Sequence, residues 1–312
     1  MKNNKKTITI LCPVYNEESS INPFYASLSN ELKKIKKMTF EILFVDDGSI
    51  DNSAGQVKKI MSKDKRIKLI QLSRNFGKES ALTAGIDYAT GNALIPIDVD
   101  LQDPPELIKK MVEKWENGFE VILAKRSDRS SDSKFKRKTA NWFYSTFNFL
   151  SKTKIPQDVG DFRLIDRSVI DALKKLPESE RFMKGLFAWV GFKTTLIPYV
   201  RNTRNEGETK FRFWGLINLA ADGITNFSAM PLKIWSYVGI IISLLSLVYG
   251  STIAFRTIIY GINVPGYSSI FFAITFLGGI QLIGLGILGE YVSRTFIESK
   301  RRPSYIIRKI YH

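Results

Sequence analysis

The chain has 312 residues, 46 Lys and Arg against 30 Asp and Glu, and a formal net charge of +16. With 44% hydrophobic residues, it is neither a disordered tail nor a collagen, and a single cysteine, Cys12, excludes an internal disulfide framework. The one histidine, His312, argues against a histidine-based metal site or a Ser-His triad. The excess of basic residues indicates a partner that carries negative charge.

Short apolar runs alternate with helical patterns along the first 124 residues. The runs at 7–12, 40–45, 67–72, 93–97 and 119–124 predict strands, and 17–37, 77–89 and 104–117 predict helices, with another helix capped by Ser49 or Asp51. This alternation predicts an α/β fold with a mostly parallel, Rossmann-like sheet. Ligands of such sheets bind beyond the carboxyl ends of the strands.

Acidic residues follow two of these strands. Asp46 and Asp47 end the second strand, and Asp98, Asp100 and Gln102 follow the fourth. In an extended segment alternate residues point to one side, so the last three side chains can converge. Three oxygen ligands suit Mg²⁺ or Mn²⁺, and a solvated acidic turn is the alternative. The sequence contains no GxxxxGK[ST] loop, and no GxGxxG fingerprint follows any of the predicted strands, which argues against a P-loop or dinucleotide enzyme.

Apolar residues are concentrated near the C-terminus, where Arg256 is the only charged residue between Ile234 and Gly289. The pattern predicts two transmembrane helices, at about 234–256 and 268–289, separated by a Gly- and Pro-containing turn. A buried hairpin of a large soluble core is the alternative. The connecting loop lacks Lys and Arg, whereas the last 23 residues contain six, so the positive-inside rule predicts that both termini are cytoplasmic.

Five segments together resemble a known family. Pro13-Val-Tyr-Asn-Glu-Glu18, Val45-Asp-Asp-Gly-Ser-Ile-Asp51 and Asp98-Val-Asp-Leu-Gln-Asp-Pro-Pro105 resemble family 2 glycosyltransferases. Arg74-Asn-Phe-Gly-Lys-Glu79 and Gly160-Asp-Phe-Arg-Leu164 narrow the resemblance to the polyprenyl-phosphate glycosyltransferases. The resemblance includes both apolar runs and so covers nearly the whole chain.

The resemblance implies a GT-A type fold and a nucleotide-sugar donor. It assigns the metal to Asp98, Asp100 and Gln102, and catalysis to Asp161 together with Asp100. A lipid phosphate has a second pKa of about 6 and needs little help from a base, so Asp161 could instead orient the sugar or a metal ligand. The residues that the resemblance assigns to the donor are Pro13, Tyr15, Glu17, Asp46, Asp47, Asp98 and Arg126.

Each of these donor assignments has a simpler structural alternative. Pro13 could only stop a strand and Tyr15 could only pack, while Asp47 could satisfy backbone N–H groups of its own turn. Two basic segments, 125–138 and 201–211, are candidates for phosphate contacts, although solvated charge or attraction to anionic lipid would give the same pattern. The phosphate- and acceptor-binding candidates there are Arg129, Arg201, Arg204 and Lys210.

The resemblance implies an inverting transferase that moves glucose from UDP-glucose to undecaprenyl phosphate at the cytoplasmic leaflet of a bacterial plasma membrane. Donors carrying N-acetylglucosamine, mannose or aminoarabinose remain open, and so does a tetramer, which members of the group form. A processive polysaccharide synthase is disfavoured by the two spans and the missing Gln-x-x-Arg-Trp segment, and no nucleic-acid motif is present. The predicted division is a catalytic domain at 1–211, interface helices at 212–232, the two spans within 233–290 and a basic tail at 291–312.

Overall fold

The computed structural model describes residues 5–127, 154–156, 158–176, 178, 181–200, 230–261 and 266–312. Its elements alternate between strand and helix over the first half of the chain, as the sequence predicts. They are β1 (Thr7–Val14), α1 (Glu18–Lys33), β2 (Thr39–Asp46), α2 (Ser53–Met61), β3 (Ile67–Leu72), α3 (Lys78–Tyr88), β4 (Ala93–Pro96), α4 (Leu107–Glu116), β5 (Val121–Arg126), β6 (Val159–Asp166), α5 (Arg167–Lys174), α6 (Met183–Trp189), β7 (Thr194–Tyr199), α7 (Met230–Tyr260), α8 (Tyr267–Ser299) and β8 (Ile307–Tyr311).

The described strands form one eight-stranded sheet in the order β7-β5-β6-β4-β1-β2-β3-β8. Strands β4, β1, β2 and β3 are parallel to one another, and β5 is parallel to β7. Strand β6 runs antiparallel to both β4 and β5, and β8 runs antiparallel to β3. The predicted α/β class with a mostly parallel sheet is confirmed.

Helices cover both faces of the sheet, which explains why its central strands are apolar on both sides. On one face, Phe24 of α1, Val57 of α2 and Ile108 of α4 belong to one buried cluster. On the other face, helices α3, α5 and α6 contribute to a second buried cluster, as Leu82 and Ile170 illustrate. The sheet is thus held between two apolar layers, and its polar residues collect at the strand ends.

Strand β1 continues through Pro13, where the sequence predicted that it would stop. The carbonyl of Leu11 accepts from Ile97 on the β4 side, and that of Val14 accepts from Asp47 on the β2 side. Because backbone groups alternate along a strand, position 13 points towards β4, whose pairing with β1 ends at Leu11. Proline therefore removes no ladder hydrogen bond there.

Two long apolar helices follow the sheet domain. Helix α7 has 31 residues and α8 has 33, and by length and composition each is able to cross a membrane. Their apolar side chains are exposed, as Leu245 and Leu282 illustrate. A side chain at Gly284 would overlap the indole of Trp235, so this glycine allows the two helices to approach closely.

The residues predicted as a basic tail, 291–312, include the end of α8 and the strand β8. Helix α8 continues ten residues past the predicted end at 289, and β8 then joins the catalytic sheet beside β3. The Tyr305 hydroxyl donates to Asp87 at 2.8 Å, and Ser73 N–H donates to the Ile306 carbonyl at 2.8 Å. The sheet therefore contains strands from near both ends of the chain, and β8 covers the edge of β3 that would otherwise be open.

Candidate active site

The carboxyl ends of three parallel strands bring the acidic segments to one edge of the sheet. In the register, Val14 pairs with Asp46 and Leu11 with Pro96, so the residues after β1, β2 and β4 emerge side by side. Asp98 lies two residues beyond the end of β4. Because β6 is antiparallel to β4, its first residues, including Asp161, lie at this same edge.

The centre of the site is an ammonium group held between two carboxylates. The Lys78 Nζ lies 2.7 Å from Asp98 Oδ2 and 2.9 Å from Asp161 Oδ2. The lysine is the first residue of α3, whereas Asp98 follows β4 and Asp161 lies on β6. Residues from three separate elements therefore converge on one nitrogen atom.

Three cations control the charge of Asp161. Burial alone would raise the pKa of its carboxyl, but Lys78, Lys184 and Arg163 outweigh that effect and hold the pKa well below its usual range. Burial by itself would lower the pKa of Lys78. The charges of Asp98 and Asp161 outweigh this effect and raise the pKa of Lys78 above its usual value. Asp161 is therefore ionised at neutral pH and is a weak proton acceptor, because an effective general base has a pKa near the working pH.

The predicted metal segment is a turn rather than an extended strand. Leu101 has a φ of 58°, in the left-handed region that a bulky residue seldom adopts. The Asp100 Oδ1 accepts the backbone N–H of Gln102 at 3.1 Å. The predicted reason for the convergence of Asp98, Asp100 and Gln102 was therefore wrong, because the backbone turns between them instead of alternating.

The oxygen donors of this turn fit a hard divalent cation. Within the described ranges, no three His, Cys, Asp or Glu side chains form a metal cluster by themselves. Asp98, Asp100 and Gln102 offer two carboxylates and an amide, which is the donor chemistry of Mg²⁺ or Mn²⁺. In addition, no hydrogen-bond partner among the described residues reaches the buried Asp161 Oδ1, so an oxygen remains available to a ligand at this edge.

Asp46 and Asp47 brace the loops of the edge. Asp46 accepts the Ser49 N–H at 3.0 Å and the Gln71 amide at 3.1 Å. The two oxygens of Asp47 accept backbone N–H groups of Phe76 at 2.7 Å and Gly77 at 2.9 Å. These groups belong to the loop that leads to Lys78, not to the turn of Asp47 itself. The structural alternative, in which Asp47 satisfies its own turn, was therefore wrong, since it supports the neighbouring loop.

The β1–α1 turn contains the remaining donor candidates near the first strand. Tyr15 is half-buried directly after β1, and Glu17 precedes α1. The Glu17 N–H donates to Ser53 Oγ at 2.9 Å, and its carboxylate accepts from Ser20 Oγ at 3.0 Å. Together with Pro13, these residues line the same edge as Asp46, so the structure brings the predicted donor residues near one another.

Arg126 lies at the end of β5, beside the strand that carries Asp161. A Cβ on Gly160 would be 3.7 Å from the Arg126 Nη2, and the buried Nε of Arg126 has no hydrogen-bond partner in the described ranges. The nearby Tyr199 hydroxyl donates to Asp103 at 2.7 Å. The arginine is therefore adjacent to the acidic cluster. The other basic candidates, Arg129, Arg201, Arg204 and Lys210, lie outside the described residues.

Two residues of the cluster belong to the family motif at 74–79, and the sequence predicted no role for either of them. Lys78 bridges the carboxylates, and Glu79 receives the Met183 N–H at 3.1 Å. Burial and the charge of Asp161 raise the pKa of Glu79 to about 7. The strand-end argument that found the aspartates could have found Lys78, because its loop follows β3 at the same edge. No pattern in the sequence predicts that the carboxyl of Glu79 is buried.

Comparisons with known proteins agree with this geometry. Residues 9–174, more than half of the chain, match the family described as glycosyl transferase family 2. A prophage bactoprenol glucosyl transferase homolog of Escherichia coli K12 is 49% identical over 97% of this chain and 99% of its own length. The bactoprenol glucosyl transferase of Shigella phage SfV is 48% identical over 96% and 98%.

One solved structure supports the fold. Glucosyl-3-phosphoglycerate synthase from Mycobacterium tuberculosis, in complex with Mn²⁺, UDP and phosphoglyceric acid, has a TM-score of 0.51 at 18% identity and covers 70% of this chain and 76% of its own. The predicted family and its GT-A type domain are both confirmed. By its family match and its near-full-length relatives, the chain belongs to glycosyltransferase family 2.

Proposed function

We propose that this chain transfers glucose from UDP-glucose to undecaprenyl phosphate, at the cytoplasmic face of a bacterial plasma membrane. The observation that carries the proposal is the convergence of Asp98 and Asp161 on Lys78, at the sheet edge where the chain returns from the apolar helices. The names of the two near-full-length relatives support the glucosyl group and the bactoprenol acceptor.

The proposed reaction is a direct displacement at the anomeric carbon. An oxygen of the lipid phosphate forms the new bond to that carbon, the bond to the nucleotide diphosphate breaks, and the diphosphate leaves with the electron pair. The configuration inverts because attack and departure are in line. No proton has to be removed from an ionised phosphate, which agrees with an Asp161 that is a poor base.

The residues of the site have separate tasks in this proposal. Asp98, Asp100 and Gln102 would hold Mg²⁺ or Mn²⁺, which when bound supplies positive charge to the leaving diphosphate. The Mn²⁺ in the mycobacterial structure supports a divalent cation without choosing between the two metals. Asp161 orients the cations around it, and Arg126 lies close enough to reach a phosphate.

The two apolar helices explain how one site meets two unlike substrates. The donor is soluble in water and the lipid acceptor is not. Strand β8 enters the sheet opposite Leu72, at the carboxyl end of β3, so helix α8 leads to the edge that holds the acidic cluster. An anchor there would keep the site beside the phosphate head of the lipid.

A transfer assay tests the proposal. The full chain in detergent, with Mg²⁺ or Mn²⁺ and undecaprenyl phosphate, is incubated with radiolabelled UDP-glucose, UDP-N-acetylglucosamine, GDP-mannose or an aminoarabinose donor. We expect label from UDP-glucose in the lipid fraction, and a loss of at least about 100-fold in Asp100→Ala and Asp161→Asn with the fold retained. No lipid-linked label with any donor would refute the proposal, and full turnover in Asp161→Asn would remove that residue from it.

A further inference from the structure

The backbone that leads to Lys78 is fixed by hydrogen bonds, so the position of this lysine does not depend on its side-chain contacts alone. Its backbone follows Phe76 and Gly77, whose N–H groups are both bound by the buried carboxylate of Asp47. A side chain on Gly48 would overlap the backbone of Arg74, so the β2 turn and the β3–α3 loop are packed against each other. The ammonium group is therefore delivered to the site by a braced loop.

The ammonium group and a divalent cation would need the same carboxylate. Asp98 is a ligand in the proposed metal set, and its Oδ2 is 2.7 Å from Lys78 Nζ. A dication bound to Asp98 would repel an ammonium group a few ångströms away, and this repulsion is strong in the partly shielded environment of a protein. Lys78 is 44% exposed in its side chain, so it has room to move away.

We propose that Lys78 competes with the divalent cation for Asp98, so that metal and donor bind tightly only together. This inference rests on the proposed nucleotide diphosphate donor. A metal ion that binds alone has to displace Lys78 from Asp98. The ammonium group of Lys78 then loses Asp98 as an ion-pair partner and gains no other anion. A diphosphate brought with the metal gives the displaced ammonium group new anionic oxygens. The two ligands therefore strengthen each other's binding, and this coupling is reciprocal.

The competition between Lys78 and the metal gives Lys78 a second role in catalysis, which it would not have if the metal were always bound. Without the diphosphate, the single positive charge of Lys78 offsets part of the negative charge of Asp98 and Asp161 and keeps the two carboxylates together. Once it is displaced, the same cation can face the leaving group. Lys78 is thus a positioning residue when the metal is absent and a phosphate ligand when the donor is bound.

Metal binding itself tests the proposal, measured by the electron paramagnetic resonance signal of free Mn²⁺ with the full chain in detergent. We expect weak binding by the wild type that UDP strengthens. In Lys78→Met the Kd for Mn²⁺ without UDP should fall about tenfold, and the strengthening by UDP should shrink by a similar factor. Lys78→Arg keeps the charge and should bind like the wild type.

Lys184→Met is the matched control. Lys184 also acts on Asp161 by its charge, but no ion pair or hydrogen bond joins it to Asp98 in the described part of the chain. Removing this charge should change the Kd of Mn²⁺ less than twofold. An equal gain in both variants would mean a general charge effect, and an unchanged or weaker Kd in Lys78→Met would refute the competition.

A second measurement uses the wild type, in case the methionine variant does not fold. Acetylation of Lys78 by acetic anhydride, followed by mass spectrometry, should increase when Mn²⁺ is added alone and decrease when UDP is added with it. A reactivity that Mn²⁺ does not change would contradict the proposal. Because neither measurement uses sugar transfer, failure of the transfer assay and failure of this inference are distinguishable.

Discussion

At the carboxyl ends of the strands, a few close neighbours shift the pKa of Lys78, Glu79 and Asp161. Lys78 is within 3 Å of two carboxylates, and Asp161 is surrounded by Lys78, Lys184 and Arg163. Glu79 lies beside the same cluster without a cation in direct contact among its described partners. Adjacent residues of one helix turn therefore have opposite electrostatic environments, and this difference can be measured.

We predict that Glu79 makes stability depend on pH. Its pKa is about 7 in the folded chain and near 4.5 in the unfolded chain, so between these values the folded state binds the proton more tightly. The free energy of unfolding therefore falls as the pH rises from about 4.5 to 7 and stays lower above that. Glu79→Gln does not titrate and still accepts from Met183.

The melting temperatures of the variant and the wild type should be similar at pH 5. At pH 8 the variant should be more stable by roughly 1–2 kcal/mol. Glu116→Gln, at an exposed position of α4, is the control and should follow the wild type at both pH values. Two parallel pH profiles for Glu79→Gln and the wild type would show that the carboxyl is not the source of the dependence.

At the scale of elements, strand β8 joins the end of the chain to the catalytic sheet. It pairs with β3 over Leu69 to Leu72, and Ile310 packs into the buried layer around α3. The pairing covers a strand edge that would otherwise expose unpaired backbone groups. Because β3 leads through the β3–α3 loop to Lys78 at the start of α3, β8 also supports the candidate active site.

We predict that a chain ending at Pro303 is less stable and tends to aggregate. It loses the β3–β8 ladder, the Tyr305–Asp87 hydrogen bond and the packing of Ile310. The melting temperature in detergent should fall by about 5 °C or more, with aggregates in size-exclusion chromatography. The double variant Arg308→Ala, Lys309→Ala removes exposed charges but keeps the strand, and should elute and melt like the wild type. If the truncated chain had the same melting temperature and elution volume as the wild type, β8 would not stabilise the sheet.

At the scale of the whole molecule, polar and apolar parts are separated along the chain. The sheet domain buries most of its apolar residues, while most of the described apolar side chains of α7 and α8 are exposed. The near-zero mean hydropathy of −0.07 is the average of these two parts. From the positive-inside rule we expect the basic residues after α8 and those of the sheet domain to lie on the same, cytoplasmic side of a membrane.

We predict that a label applied from outside the cell reaches the turn between the helices but not the C-terminus. The single native cysteine, Cys12, is fully buried, so the background is low. In intact cells a membrane-impermeant maleimide should react with Gly266→Cys, and with His312→Cys only after permeabilisation. The wild type, in both conditions, is the control. The reverse pattern would refute the orientation.

The sequence by itself determined the elements of the first 124 residues, the family and the two apolar helices, because these depend on local pattern and on motifs that are contiguous in the chain. Strand 67–72 was predicted at its observed bounds, and the pattern of apolar runs was enough to locate the acidic residues at the strand ends. It did not determine that Asp47 braces another loop, that Lys78 joins Asp98 to Asp161, or that residues 307–311 complete the sheet. These contacts join residues 20 to about 240 positions apart, and only tertiary packing decides which distant side chains share one edge.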